Sequence, residues 1–339
     1  MRRKKRALKT FVGFVVIALF MVAAGIAASS MPGKENASDE ASAKVSTSLL
    51  EVPEKAEEED TDSSEESLLA ECDTVIVDYI DVGQGDATLI YDETTRYSVM
   101  IDTGLYEAYD NVQTALSEYG IDTLDALILT HPDADHIQSA VDVIRDYNVP
   151  AVYMSKATSD TKTYEYLMGY LGGRYSGGIY YPIPGDGITL GSAKLIFLGP
   201  AEYTDYTDTN GNSLITKLVN GNDSFLFLGD ATGDEVESVL SKGADMSADV
   251  LKASHHGSAN DGCNSERLFN AAGAEILVVS CGYGNDHGHP HIETMELAKK
   301  YGLNLFRTDL QGSVSCISSG EGISWNKAST TVYTNGNGF

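Results

Sequence analysis

The histidines of this chain are few and grouped. Only seven occur among 339 residues, and two of them enclose the segment His131-Pro132-Asp133-Ala134-Asp135-His136. Two imidazoles and two carboxylates so close together are ligands that hold divalent metal ions. We therefore predict a metal site at this segment. The other histidines form two further groups, His255 with His256, and His287 with His289 and His291.

Apolar runs place the metal-binding motif and a further acid at strand ends. Ala126–Leu129 precedes Thr130 and His131, so the motif is expected in a loop after a strand, where α/β sheets usually form their sites. Asp230 follows the apolar run 225–228 in the same way. Two interpretations of Asp230 remain open. It is either the N-cap of the next helix or a carboxylate that bridges two cations roughly 3.5 to 4 Å apart.

The adjacent pair His255 and His256 poses a choice. Neighbouring side chains on an extended strand end point to opposite sides, so at most one of the pair should face the metals. We predict that His256 is the ligand or general acid and that His255 packs behind it. Lys252 is expected to be an exposed structural residue, with contact to an anionic substrate oxygen as the alternative. His287 and His291 are expected at the surface or at a helix start.

The sequence pattern after residue 71 predicts the strands and helices that position these residues. Short β-branched runs alternate with amphipathic segments and with turns rich in Gly, Asp and Asn. This pattern predicts a layered α/β domain over residues 72–325 and a loose C-terminal tail over 326–339. The predicted strands are 75–80, 87–91, 98–101, 126–129, 151–154, 194–198, 214–219, 225–228, 250–251 and 276–280, and the predicted helices are 111–119, 137–147, 163–170, 234–240, 265–271 and 291–301.

The N-terminal 29 residues have the composition of a leader. A basic run is followed by an uncharged apolar stretch over residues 11–28, which predicts a signal peptide or an N-terminal membrane anchor. Either outcome exports the rest of the chain. Residues 30–71 are rich in Ser, Ala, Glu and Asp and are predicted to be an acidic disordered linker. The domain is therefore expected to be extracellular, secreted or tethered to the outer face of the cytoplasmic membrane.

Composition narrows the function classes. With 42% apolar and 22% charged residues, the chain is neither fully disordered nor a polytopic membrane protein. Its formal net charge of -27 repels long polyanions, so contact with nucleic acid needs a local basic patch, salt or metal ions. The four cysteines are dispersed, which favours buried apolar roles, with one disulfide left open for an exported domain.

Six ordered motifs resemble a known family. The series is similar to the metallo-β-lactamase fold, and specifically to the hydrolase domain of ComEC/Rec2 competence proteins and their free-standing exported relatives. The resemblance covers roughly residues 74–318. The motifs are Asp81-Val82-Gly83-Gln84-Gly85-Asp86, Ile101-Asp102-Thr103-Gly104, Thr130 to His136, Leu228-Gly229-Asp230, Leu251 to Ser258 and Gly288-His289-Pro290-His291.

The resemblance implies an αββα sandwich with two divalent metal ions at one edge. Zinc is the default metal, and the carboxylate in place of a second motif histidine extends the range to manganese. The family's further histidine before the bridging acid is absent from residues 210–213, and His256 is the candidate to fill that first site. Asp81 and Asp102 are expected to orient ligands. The implied metal ligands are His131, Asp133, Asp135, His136, Asp230, His256 and His289.

The resemblance also implies an activity. Hydroxide between the metals would attack a phosphodiester outside the cell, with Asp135 and His256 as candidate catalytic residues and His256 protonating the leaving oxygen. DNA, in competence and DNA uptake, is one implied substrate. No obligate protein partner is inferred, and membrane contact is expected only through an uncleaved leader. The alternatives are hydrolysis of another bond, such as a phosphocholine ester, a lactone or a β-lactam, and a non-catalytic surface binding module.

Overall fold

A computed structural model describes residues 72–338, so the predicted leader (1–29) and acidic linker (30–71) lie outside the described residues. Within 72–338, no helix has the length and apolar character needed to cross a membrane. The strands are β1 Val75–Tyr79, β2 Thr88–Asp92, β3 Ser98–Ile101, β4 Ala126–Leu129, β5 Ala151–Met154, β6 Gly178–Tyr180, β7 Gly187–Leu190, β8 Ala193–Gly199, β9 Ile215–Asn220, β10 Asp223–Phe227, β11 Val250–Lys252, β12 Ile276–Val279, β13 Asn304–Arg307, β14 Val314–Ser318 and β15 Ile323–Trp325. The α-helices are α1 Tyr109–Glu118, α2 Ala134–Ile137, α3 Ala140–Asp146, α4 Lys162–Gly173, α5 Gly233–Ser241, α6 Glu266–Ala272, α7 Ile292–Tyr301 and α8 Thr308–Gln311.

The strands form two mixed sheets. One has the order β15-β14-β1-β2-β3-β4-β5-β6, and the other has the order β13-β12-β11-β10-β9-β8-β7. Strands β3, β4 and β5 run parallel in the first sheet, and β10, β11 and β12 run parallel in the second. The carboxyl ends of parallel strands meet at one edge of a sheet, which is where the loops that carry polar side chains can converge.

Alternating side chains produce the layers. In β1, Val75, Val77 and Tyr79 face a buried cluster shared by both sheets, whereas Ile76 faces the cluster that covers α1, α3 and α4. This period of two is what a strand buried on both faces requires. A third apolar cluster joins the second sheet to α5, α6 and α7. The predicted α/β sandwich with two sheets is confirmed.

Some predicted boundaries were wrong. The expected helix 137–147 is two helices, α2 and α3, because Ser139 leaves the helix to donate its hydroxyl to the carbonyl of Leu105 at 3.1 Å. Five strands, β6, β7, β13, β14 and β15, were not predicted. Strands such as β14 alternate apolar with polar residues, so no continuous apolar run marks them. The four cysteines are free thiols, and no disulfide joins them.

The C-terminal segment, predicted to be a loose tail, is held against the domain as far as Gly336. The buried guanidinium of Arg307 donates to the carbonyl oxygens of Val332 at 3.3 Å and of Thr334 at 2.5 Å. Its other nitrogens pair with both carboxylate oxygens of Asp309, at 3.0 and 2.6 Å. The prediction failed because it counted apolar residues, whereas the segment is held through its backbone carbonyls.

A buried acid at the start of α5 should make stability depend on pH. Glu235 accepts a hydrogen bond from the amide of Ala201 at 2.8 Å, and burial raises its pKa to about 7. Because the folded state binds this proton more tightly than the unfolded chain, its contribution to stability is lost as pH rises through about 7. We expect Glu235→Gln, which keeps an acceptor oxygen, to be more stabilising at pH ~8 than at pH ~5.

Urea unfolding followed by circular dichroism at both pH values measures this effect. Glu237→Gln is the matched control, since Glu237 lies on the same helix with an exposed side chain. An equal effect of Glu235→Gln at the two pH values would contradict the prediction.

Candidate metal centre

The loop after β4 delivers the first group of site residues. Because β4 is parallel to β3 and β5, its end at Leu129 lies at the edge where the neighbouring strands also end. Asp133 then directly precedes α2, which carries Asp135 and His136. His131 and His136 are buried, and their rings lie 4.1 Å apart between centroids. The two imidazoles of the predicted motif therefore meet in one pocket.

Asp102, at the end of β3, fixes the orientation of both rings. Its Oδ2 lies 2.8 Å from Nδ1 of His136 and 2.6 Å from the hydroxyl of Thr130, which donates to it. The Thr130 oxygen in turn lies 3.1 Å from Nδ1 of His131, which can donate to it. In the neutral form both rings then carry their proton on Nδ1. Each Nε2 is left with a lone pair, as a metal ligand requires.

Asp230 lies where these lone pairs converge. It is buried, and its Oδ1 is 3.2 Å from Nε2 of His136, while its Oδ2 is 3.8 Å from Nε2 of His131. Its backbone amide donates to the hydroxyl of Ser213 at 3.2 Å, which fixes the turn after β10. Thr232, not Asp230, caps helix α5 by accepting from the amide of Glu235. The N-cap interpretation of Asp230 is therefore wrong.

Both His255 and His256 face the cluster, so the expectation that at most one does so was wrong. Each Nε2 lies 3.6 Å from Oδ2 of Asp230. The two residues are not extended: their φ angles are 47° and 54°, in the left-handed region. Consecutive residues with this backbone do not alternate sides as strand residues do. His256 donates from Nδ1 to the carbonyl of Ser280 at 3.1 Å, so its Nε2 also offers a lone pair.

Two carboxylates of the motif lie at the rim of the pocket. Oδ2 of Asp135 is 3.2 Å from Nε2 of His256, and Oδ2 of Asp133 is 3.7 Å from Nε2 of His131. The side chain of Asp133 is 39% exposed, which makes it the most open of these groups. Both acids line a cleft of about 530 Å³ together with Asp230 and His255. Solvent and substrate can therefore reach the cluster from this side.

Asp86 is a site residue that sequence reasoning missed, and Lys252 is its buried partner. One carboxylate oxygen of Asp86 belongs to a group of four ligand atoms, with His136, Asp230 and His256, that lie within 4.8 Å of one another. Oδ2 of Asp86 pairs with the ammonium of Lys252 at 2.6 Å, and both side chains are buried. The expectation that Lys252 is exposed was therefore wrong. A buried carboxylate needs such a partner.

The sequence feature that could have identified Asp86 is the preceding residue, Gly85. Gly85 has a φ of 148°, and a Cβ at this position would collide with the carbonyl oxygen of Asp135. The loop before β2 therefore passes directly beneath the metal-binding motif, and the amide of Asp86 donates to the carbonyl of Asp135 at 3.2 Å. In the sequence Gly85 directly precedes Asp86, but no local pattern shows that this pair approaches Asp135.

His289 lies beside the cluster. Its buried ring stands 5.3 Å from the ring of His255 and 6.1 Å from that of His256, and its Nδ1 lies 3.4 Å from the amide nitrogen of Gln84. Its backbone is fixed by Asn285, whose side chain accepts from the amide of His289 at 2.9 Å and donates to its carbonyl at 2.6 Å. The amide of Gly336 donates to the carbonyls of Gly288 and Pro290, on either side of His289.

The other two histidines of this group, His287 and His291, and the acid Asp81 have other positions and contacts. His287 is exposed, and His291 directly precedes α7 and accepts from the amide of Ala259 at 2.9 Å. Asp81 accepts from the amide of Gly83 at 3.1 Å, so it shapes its own loop and contacts no imidazole among the hydrogen bonds of residues 72–338. Of the two acids expected to orient ligands, Asp102 is therefore the one that does so.

The cluster favours positive charge. Burial would lower the pKa of His136, but the carboxylates of Asp230 and Asp102 outweigh burial and raise it well above the ordinary value. Burial would raise the pKa of Asp230, but His136 and His256 outweigh burial and hold it well below the ordinary value. Burial lowers the pKa of His131 to about 4, so this ring is neutral at neutral pH. A pocket with these properties suits a metal cation.

Four buried polar atoms test whether the residues fit such a cation. In the described part of the chain, Nε2 of His131, Nε2 of His136, Oδ1 of Asp86 and Oδ1 of Asp230 have no hydrogen-bond partner of acceptable geometry. Leaving a buried polar atom unpaired costs about 1 to 3 kcal/mol. Because all four belong to side chains of one cluster, bound cations would satisfy them together. The residues present fit a divalent metal site.

Comparison with known proteins agrees with this geometry. Residues 80–280 match the Metallo-beta-lactamase superfamily. The chain belongs to that superfamily. A metallo-beta-lactamase domain with this Asp and His cluster is a metal-dependent hydrolase, and the cluster indicates a dinuclear metal site.

The relatives connect this metallo-beta-lactamase domain to competence proteins. It is 29% identical over 256 residues to ComE operon protein 3 of Bacillus subtilis (strain 168), covering 70% of this chain and 32% of that protein. It is 29% identical over 236 residues to competence protein ComA of Neisseria gonorrhoeae, covering 69% and 31%. The chain thus spans about a third of the length of these relatives. The predicted resemblance to the ComEC/Rec2 type is confirmed.

Among solved structures, the metallo-beta-lactamase fold protein YhfI of Bacillus subtilis is 16% identical, with a TM-score of 0.47. The match covers 69% of this chain and 95% of that one.

Residues 210–213 lack the further histidine that the sequence resemblance implies before the bridging acid. The side-chain amide of Asn212 donates to the carbonyls of Asp205 and Asp208, both at 2.6 Å, so it fixes its own loop. The hydroxyl of Ser213 accepts from the amide of Asp230. Neither residue offers its side chain as a ligand in this arrangement. His255, with Nε2 3.6 Å from the same Asp230 oxygen that His131 approaches, stands where a replacement is needed.

Proposed function

We propose that the protein is an exported phosphodiesterase of the nuclease type that uses two divalent metal ions, with Zn²⁺ as the expected metal and Mn²⁺ as the alternative. The observation that carries this proposal is the convergence of four Nε2 atoms on the two oxygens of buried Asp230. The four distances are 3.2 to 3.8 Å. Three of the four rings have Nδ1 committed to another hydrogen-bond partner.

Residues of the chain would hold the cations and keep them apart. The first ion would be held by His131, Asp133 and His255, and the second ion would be held by Asp135, His136 and His256. Both ions would be bound by Asp230. When bound, the ions supply Lewis-acid charge and lower the pKa of water to near neutrality. His289 would complete the site from the rim next to Gln84. The carboxylate of Asp86, which is buried beside His136 and His256, would balance positive charge at the second ion. The ammonium of Lys252 balances the charge of Asp86 in turn.

His256 cannot protonate the leaving oxygen while its Nε2 binds a cation. Its Nδ1 proton is donated to the carbonyl of Ser280, so the ring has no further proton to give. His255 is unsuited as well, because it would hold the first ion and because burial lowers its pKa. The cleft is open to solvent, so we assign the proton for the leaving oxygen to water.

Export and a phosphate ester substrate are supported from outside the site. The basic run and the apolar stretch of residues 1–29 support export. The similarity to competence proteins supports a nucleic acid or nucleotide ester as substrate. Ligands that include several carboxylates suit the hard cations that bind phosphate oxygens.

Metal analysis together with a substrate panel tests the proposal. We expect the purified full-length protein to bind two transition metal ions per chain and to hydrolyse bis-p-nitrophenyl phosphate, with activity lost on chelation and restored by Zn²⁺ or Mn²⁺. Nitrocefin and a lactone serve as parallel substrates.

Other results would overturn the proposal. Hydrolysis of nitrocefin or the lactone with no release from the phosphodiester would show a hydrolase of another bond. Less than one bound metal ion per chain, with no rescue by added metal, would show a binding module.

A further inference from the structure

An aromatic stack lies on the loop that precedes β9. The rings of Tyr203 and Tyr206 are parallel to within 5°, with centroids 5.6 Å apart. Tyr206 is 48% exposed, so its ring is open to a ligand. The ammonium of Lys156 lies 5.3 Å from the centroid of the Tyr203 ring, a distance at which a cation and an aromatic face attract each other. We call these two rings the Tyr203–Tyr206 stack.

The stack lies at the edge of the sandwich that holds the metal cluster. Because β5 runs parallel to β4, residues after Met154 leave the sheet at the same edge as His131. The hydroxyl of Ser155 donates to the carbonyl of Asn212 at 2.6 Å, and the amide of Lys156 donates to the hydroxyl of Tyr203 at 3.2 Å. These bonds join the loop after β5 to the loop that carries the stack.

The stack is also connected to the metal-binding motif and is held in place. The side chain of Thr209 lies near the carboxylate of Asp133. The amide of Asn212 bonds to two carbonyls of the same loop, and the amide of Thr158 donates to the carbonyl of Tyr206 at 2.7 Å. A ring presented by such a loop loses little conformational entropy when a ligand stacks on it.

The chemistry of these groups indicates the ligand. A parallel pair of rings with one open ring accepts a further planar ring, and stacking of a base on an aromatic side chain does not require a particular base. Lys156 makes no ion pair with any carboxylate in the part of the chain that the structure describes, so its charge remains available to a phosphate. A ligand that uses the stack, Lys156 and the metal cluster together must join a planar ring to a phosphate ester.

We propose that the Tyr203–Tyr206 stack with Lys156 is a base-binding subsite, which makes a short nucleotide diester the substrate of the metal centre. This inference rests on the proposed function. The loop itself limits the length of the substrate: Asp205 and Asp208 are exposed beside the stack, and the whole chain carries a net charge of -27. A long polyanion that continued past the stack would meet this negative surface.

Steady-state kinetics on two matched substrates tests the subsite. The substrates are thymidylyl-thymidine and the same diester with one base removed, and the proteins are the full-length wild type, Tyr206→Ala and Tyr206→Phe. We expect Tyr206→Ala to raise KM for the dinucleotide about tenfold with little change in kcat, in line with the stacking of one base. The abasic diester should show no such change, and Tyr206→Phe should behave as the wild type because it keeps the ring.

The contrary results separate the subsite from the activity. Equal effects of Tyr206→Ala on both diesters, or no effect on either, would overturn the subsite. Long single-stranded DNA that competes as well as the dinucleotide would overturn the limit on length. If the wild type hydrolyses neither diester with Zn²⁺ or Mn²⁺, the proposed function fails. Calorimetric binding of thymidine 5′-monophosphate to the wild type and to Tyr206→Ala then decides the subsite by itself, and equal affinities would reject it.

Discussion

Asp230→Asn should abolish hydrolysis while the protein remains folded. An amide keeps the shape of the side chain but has one acceptor oxygen and no charge, so it can neither bridge two cations nor balance His131, His136, His255 and His256. Replacing residues that merely support metal ligands costs about 10- to 100-fold in affinity or activity, and we expect a loss above that range here. Metal content per chain and kcat/KM on bis-p-nitrophenyl phosphate measure the effect.

The control for Asp230→Asn uses the histidine group before α7. His287 is exposed, with its ring 5.5 Å from that of His289, so His287→Ala should keep its metal and most of its activity. His289→Ala should lose activity. Thermal melting of each variant shows whether it is folded. Full activity in Asp230→Asn would rule out the two-metal assignment, and equal losses in the two histidine variants would show that the wrong histidine was chosen.

Arg307→Met should cause the largest loss of stability. Arg307 and Asp309 form a two-pronged ion pair with both side chains 1% exposed, and the guanidinium also holds two carbonyls of the C-terminal segment. Removing the cation leaves a buried carboxylate without a counterion. Breaking a buried pair in this way typically costs about 3 to 5 kcal/mol. The midpoint of urea unfolding, followed by circular dichroism, measures the change.

A double variant distinguishes the buried charge from lost packing. Arg307→Met with Asp309→Asn should recover part of the stability that the single variant loses, because no isolated charge remains. Lys300→Met is the matched control, since its pair with Glu266 has both side chains more than half exposed and should change stability little. A double variant no more stable than Arg307→Met would show that packing, not charge, accounts for the loss.

The site residues that could be predicted are those marked by their neighbours in the sequence. Imidazoles and carboxylates crowded after an apolar strand identified His131 and His136, and an acid after a second apolar strand identified Asp230. The sequence could not reveal that His255 turns towards the cluster, because this depends on two successive residues in a left-handed backbone. Such a backbone leaves no mark in the periodicity of apolar residues.

The residues that escaped prediction act through distant partners. Asp86 is buried beside Lys252, 166 residues further along the chain, and neither has a local pattern that names the other. Short strands such as β14 and β15 likewise form because their neighbours pair with them. For the same reason the C-terminal segment seemed loose: its anchor is the guanidinium of Arg307, which contacts backbone atoms of any sequence.

The two hydrogen bonds from the amide of Gly336, to the carbonyls of Gly288 and Pro290, connect the C-terminal segment to the metal cluster. They fix both neighbours of His289, so this imidazole is held beside the cluster by a segment that contributes no metal ligand among residues 326–338. Displacement of that segment would therefore disturb the cluster from outside it.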